Sequence, residues 1–207
     1  MKIGIYGGSF SPPHKGHAKL AMHFLEAMEL DRLIIIPTGN PPHKKIDGGA
    51  DGAARLEMCR AAFLPLSDKI EVSDYEALRT DPCYTVDTLR HFAPEGELYM
   101  LCGSDMFLTL GSWRDPQGIF DLATVVCGNR TDDPVTEAQL YVTAVKYMKA
   151  YGGNAEIMKF DPVEVSSTAI RAELARGEKP HEITDAVYDL IVENELYGWG
   201  EGTDDEA

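Results

Sequence analysis

Six short apolar runs limit what this chain can fold into: KIGIY (2–6), RLIIIP (32–37), KIEVSDY (69–75), ELYMLCG (97–103), LATVVCG (122–128) and AEIMKF (155–160). Between them lie stretches with apolar residues at helical spacing. The first, 17–30, places Leu20, Ala21, Phe24, Leu25 and Met28 on one face; 52–64, 84–92 and 135–152 follow, with two more helices at about 167–176 and 181–195. Strands apolar on both faces that alternate with helices must be covered on both sides. That predicts a parallel sheet. Right-handed crossovers make it a doubly wound α/β fold, with a small helical part at the C-terminal end. Ligands of such sheets bind at the carboxyl ends of the strands, near the switch in strand order. The loops Gly7–Gly16, Pro37–Gly49, Gly103–Gly118 and Gly128–Pro134 each follow a strand and are predicted to lie on that edge.

The 207 residues suit one domain over 1–198, its helical part at about 165–198, followed by an acidic tail over 199–207. A net charge of −15 argues against a nucleic-acid partner and against an anionic membrane surface. A small anionic substrate then needs a local basic patch to overcome the global field. Cys59, Cys83, Cys102 and Cys127 are scattered without a C-x-x-C pair and read as buried small residues in a reducing compartment. The apolar start MKIGIYGG is too short for a signal peptide, and no run approaches the ~20 apolar residues of a membrane span. A cytoplasmic protein is expected, and a homo-oligomer is left open.

The stretch GGSFSPPHKGH (7–17) follows the first strand. Gly7 and Gly8 allow a sharp turn and close approach of the backbone to a ligand. The helix predicted to begin near Gly16 or His17 aims its unpaired N–H groups at this loop, which favours an anion there. The phosphate loop G-x-x-x-x-G-K-[ST] is absent, as is the dinucleotide fingerprint G-x-G-x-x-G. Taken alone, His14 and His17 fit three readings: an i, i+3 metal pair lacking an evident third ligand, a turn with two exposed histidines, or two donors to phosphate where a lysine is missing. Far downstream stands VSSTAIR (165–171). Ser166 or Ser167 can cap a helix starting near Thr168, and Arg171, one turn in, can reach the same anion. Read alone, it is equally a capped helix with a surface arginine.

Together the two motifs resemble the H-x-G-H and I-S-S-T-x-[IV]-R signatures of the nucleotidylyltransferase superfamily, with Val165 in place of the isoleucine. PTGNPPHKK (37–45), YTVDTL (84–89), GSDMFLTLGSW (103–113) and VYDLIVENELYG (187–198) narrow the resemblance to bacterial nicotinate-nucleotide adenylyltransferases, over nearly the whole chain. That resemblance implies a Rossmann-like nucleotidylyltransferase fold. It implies an enzyme of NAD biosynthesis that transfers AMP from ATP, with Mg²⁺, to nicotinate mononucleotide. His14, His17 and Arg171 would be catalytic. Gly7, Gly8, Ser9, Phe10, Gly103, Ser104, Asp105, Ser166, Ser167 and Thr168 would join them around ATP. Lys44, Tyr84, Thr85, Asp105 and Trp113 would hold the mononucleotide, with Trp113 stacked on the pyridine ring. Asp105 would contact ribose hydroxyls or help organise Mg²⁺, and no protein side chain is assigned as a metal ligand. Plainer roles stand beside these: Asp105 or Thr85 as a helix cap, Trp113 as a packed aromatic, Lys44 as a solvated charge. Ser11 departs from the family, which usually has Asp or Asn there. The related acceptor nicotinamide mononucleotide, or another phosphate acceptor, is not excluded, and a non-catalytic nucleotide-binding module is the remote alternative.

Overall fold

The computed structural model describes residues 1–41, 49–129, 133–161 and 163–199. Its strands are β1 (Lys2–Gly8), β2 (Arg32–Pro37), β3 (Ile70–Val72), β4 (Glu97–Gly103), β5 (Ala123–Asn129) and β6 (Ala155–Lys159), in one sheet of order β3-β2-β1-β4-β5-β6. β1 pairs with β4, β4 with β5 and β5 with β6, all parallel, with Ile3 opposite Leu98 and Tyr6 opposite Leu101. This is the predicted doubly wound α/β fold. The order reverses beside β1, and such a switch point is where ligands of these sheets bind. Burial follows the sequence logic. Ile34, Ile35 and Ile36 in β2 and Val125, Val126 and Cys127 in β5 are at most 1% exposed, so both faces of each strand are covered. Gly4 in β1 has a packing reason: a Cβ there would lie 2.5 Å from Leu30 and 2.9 Å from Phe24.

The helices are α1 (Lys15–Ala27), α2 (Gly52–Phe63), α3 (Thr85–Phe92), α4 (Ser104–Thr109), α5 (Pro116–Leu122), α6 (Pro134–Tyr151), α7 (Ser167–Leu174) and α8 (Asp185–Glu193). Asp133 caps α6 by accepting from the Val135 and Thr136 amides, and Gly152 ends it at φ 75°. One expectation needs correction. The stretch 103–118 was expected as a loop, yet it contains α4, a 3₁₀ turn at Leu110–Ser112 and the start of α5. Phe107 and Leu110, both fully buried, supply the anchoring that its glycines and proline hide. The four cysteines are free and buried, as expected. No helix among the described residues is long and apolar enough to cross a membrane.

The chain divides into two compact units, one of Met1–Gly7, Leu20–Ile34 and Cys83–Pro162, the other of Gly8–Lys19, Ile35–Pro82 and Val163–Ala207. Of the sequence-predicted site residues, His14, His17 and Arg171 belong to the second unit and Tyr84, Thr85 and Trp113 to the first.

Candidate active site

In the second unit the chain leaves β1 at Gly8 and turns through Ser9–His14 into α1, which begins at Lys15, slightly earlier than predicted. Phe10 adopts φ 44° and is 1% exposed; its ring meets Phe63 at 5.4 Å and His17 edge-on at 5.1 Å. The His14 and His17 rings stack, with centroids 3.6 Å apart and planes 22° from parallel. Each backbone amide donates to the other residue's ring, His14 N to His17 Nδ1 and His17 N to His14 Nδ1, both at 3.3 Å. A ring nitrogen that accepts an N–H bond carries no proton, so both neutral imidazoles hold theirs on Nε2. The donor of each ring is therefore its Nε2–H. Gly16 between them is closely packed: a Cβ would lie 2.8 Å from Val165 Cγ1 and 3.1 Å from the His14 ring.

The VSSTAIR segment closes on the same loop. Ser166 is the N-cap of α7, its hydroxyl accepting from the Ala169 amide at 3.2 Å, a bond worth about 1 kcal/mol. Ser167 Oγ donates to the Pro12 carbonyl at 3.1 Å. Arg171 donates through Nη1 to the Ser11 carbonyl at 2.8 Å and through Nη2 to Thr168 Oγ1 at 3.4 Å. A guanidinium has about five N–H donors, so roughly three remain beyond these bonds. Two further anchors were not anticipated. Arg55 of α2, 2% exposed, donates through Nη1 to the Ser9 carbonyl at 2.9 Å. Ser11, 3% exposed, donates to the Tyr197 hydroxyl at 3.3 Å. Burial pushes that phenol up to about 12, against the opposing pull of Ser11 and Arg55. Ser11 thus serves as an interior tether.

In the first unit β4 ends at Gly103, which is the N-cap of α4 and where an added Cβ would meet nothing within 4 Å. The missing side chain leaves open space and fills no packing need. The Ser104 hydroxyl is buried beside the Cys127 thiol, which burial raises to about 11 against the opposing pull of that hydroxyl. Asp105 lies exposed in the first turn of α4 and does not cap it. Thr85 is the first residue of α3; the N-cap is Tyr84, without a side-chain cap, so the capping role for Thr85 fails too. Arg114 stacks over the Tyr84 ring at 4.3 Å. Arg90 bridges Asp87 of α3, at 2.9 Å, and Asp115, at 2.5 Å. The Tyr84–Thr85 pair and the half-buried Trp113 are therefore carried on two segments pinned to each other. Lys44 lies outside the described residues.

Residues 5–173 match the cytidylyltransferase-like family. A relative from Clostridium acetobutylicum, named "probable nicotinate-nucleotide adenylyltransferase", is 32% identical over 200 residues, 95% of this chain and 98% of its own. A relative of the same name from Shouchella clausii is 35% identical over 202 residues, 95% of this chain and 97% of its own. The chain belongs to the nicotinate-nucleotide adenylyltransferase family. Its fold is also that of Plasmodium falciparum nicotinic acid mononucleotide adenylyltransferase. The NaAD complex of that protein matches with a TM-score of 0.76 at 18% identity, over 97% of this chain and 98% of that one. The complex with APC gives a TM-score of 0.72 over the same shares.

Within this family fold, the sequence motifs located the histidine pair, the α7 cap and Arg171. They gave no sign of Arg55, Tyr197 or Arg114. The one available signal was the charge: Arg55 interrupts the apolar stretch AARLEM, and Arg114 adjoins Trp113.

Proposed function

We propose that the protein transfers AMP from ATP to nicotinate mononucleotide, forming deamido-NAD and pyrophosphate. The observation that carries this reading is the second unit's cluster of anion donors. Two stacked imidazoles, the Arg171 guanidinium and the capped start of α7 meet at one short loop. Family membership supports the choice of substrates.

The acceptor phosphate is already ionised at neutral pH and needs no strong base. One of its oxygens attacks the α-phosphorus in line; the new P–O bond forms as the α–β bridging bond breaks, and pyrophosphate leaves with the electron pair. The protein's task is to align two anions and to stabilise the charge that spreads over the transferring group. His14 and His17 donate to the α- and β-phosphate oxygens, and Arg171 holds the triphosphate. The N-terminal amides of α3 at Tyr84–Thr85 receive the pyridine carboxylate while Trp113 covers the ring. Among the described residues no three His, Cys, Asp or Glu side chains gather as a metal cluster. The donor set suits an anion, so Mg²⁺ fits as the counter-ion carried on the ATP phosphates, where it supplies charge neutralisation.

Purified protein, Mg²⁺·ATP and either nicotinate or nicotinamide mononucleotide, assayed side by side for pyrophosphate, test the reading. Faster release with the acid supports it. Release with neither overturns it, and preference for the amide moves the assignment to that acceptor.

A further inference from the structure

We propose that Arg55 is a positioning residue for ATP, a buried cation that fixes the Ser9 carbonyl and backs the phosphate-binding loop with positive charge. The inference rests on the reading that this loop receives ATP.

The geometry motivates it. Arg55 is 2% exposed and donates through Nη1 to the Ser9 carbonyl at 2.9 Å. Among the described residues its buried Nε has no hydrogen-bond partner. Among the described residues no carboxylate pairs with it; Asp51, the group of opposite charge acting on it, is engaged in capping α2 through the Ala54 amide at 2.8 Å. Burying a guanidinium without an ion pair carries a large desolvation cost. Desolvation accordingly pulls its pKa down, although an arginine stays charged at any working pH. Holding one carbonyl does not need a full charge, because a neutral amide would donate equally well. A polyanion on the far side of Ser9–His14 does need one. In so dry a setting the charge acts with little screening. Tyr197 completes the arrangement: kept protonated by burial, it is a neutral dipole that tethers Ser11 without cancelling the cation.

Arg55→Gln and Arg55→Lys separate charge from hydrogen bonding. Calorimetric binding of Mg²⁺·ATP is read alongside KM for each substrate, with the wild type in parallel. Absent turnover by the wild type thus counts against the proposed function, while ATP binding still decides the role of Arg55. Arg55→Gln is expected to weaken ATP about tenfold or more, the loss of roughly one charge-assisted contact, with KM for the mononucleotide changed less than about twofold. Arg55→Lys is expected to stay within about threefold of wild type for ATP. The proposal is overturned by unchanged ATP affinity in Arg55→Gln, by equal losses for both substrates, or by equal ATP losses in the two variants. Should Arg55→Gln fail to fold, Arg55→Lys decides alone: a loss near tenfold overturns the charge argument, and near-normal affinity supports it.

Discussion

Gly16→Ala tests the catalytic role proposed for His14 because the new methyl meets both Val165 and the His14 ring. Gly16 lies in the first turn of α1, where alanine in place of glycine adds about 0.5–1 kcal/mol of helix preference. The Cβ would sit 2.8 Å from Val165 Cγ1 and 3.1 Å from the His14 ring. Ordinary carbon contacts begin at about 3.5 Å, so Val165 must retreat about 0.7 Å and the imidazole about 0.4 Å. Overpacking of this kind costs about 1–3 kcal/mol. The net destabilisation is at most about 2.5 kcal/mol, which lowers Tm by up to roughly 10 °C in a chain of this size. Catalysis is more sensitive, since ~1 Å of misplacement costs about 10²-fold. The displaced His14 is therefore expected to lower kcat about tenfold or more, measured as pyrophosphate release well below the new Tm. Val165→Ala in the same chain removes the first clash but not the second. The double variant should regain stability while activity stays low. Wild-type kcat in folded Gly16→Ala would refute the assignment of His14, and full recovery of kcat with Val165→Ala would show that the histidine geometry is not what matters.

Three shorter predictions follow. His17→Ala is expected to lower kcat about 10²-fold at saturating ATP, the range for losing one preorganised donor; a near-normal kcat removes it from catalysis. Trp113→Ala should raise KM for nicotinate mononucleotide far more than KM for ATP, and equal changes would exclude ring stacking. Tyr197 titrates at about 12 folded against 10 for the ordinary phenol, so its contribution to stability is intact below pH 10 and falls as pH rises from 10 to 12. The loss reaches about 3 kcal/mol, from ~2 units at 1.36 kcal/mol each, and Tyr197→Phe should make the alkaline decline of Tm shallower; parallel declines would contradict it.

The strands could be read from the sequence because β1, β2, β4 and β5 are apolar on two faces, a pattern that survives without tertiary information, whereas β3 and β6 carry exposed charges and show it only in part. α4 and α5 were hidden for a local reason. GSDMFLTLGSWRDPQG is punctuated by glycine and proline, and its helices are short; yet Asp115–Pro116 is a cap followed by proline at the first helical position, a start signal that was present. His14 and His17 were visible through their spacing, but their stacking was not, because it depends on ring orientation. Arg55 could not be read as buried. In a helix it looks like a solvated charge, and its partner, the Ser9 carbonyl, lies 46 residues away. The tether from Ser11 to Tyr197 spans 186 residues and involves a hydroxyl that any loop could carry.

The charge of the chain sharpens what the loop must do. At −15 the protein as a whole repels both proposed substrates. At physiological ionic strength, however, the Debye length is about 8 Å, so most of those carboxylates do not act on a phosphate held at the loop. In the proposed reading what acts is the immediate shell: Arg171 on the Ser11 carbonyl, Arg55 on the Ser9 carbonyl and the two histidines. A P-loop adds one lysine to its backbone amides; the proposed reading gives this task to residues that also hold the loop's carbonyls. Charge and shape are then one property, and a substitution that loosens the loop also dilutes the field at the phosphate. ATP affinity and kcat should therefore fall together in variants of the carbonyl anchors, whereas loss of an Nε2–H donor alone should act on kcat.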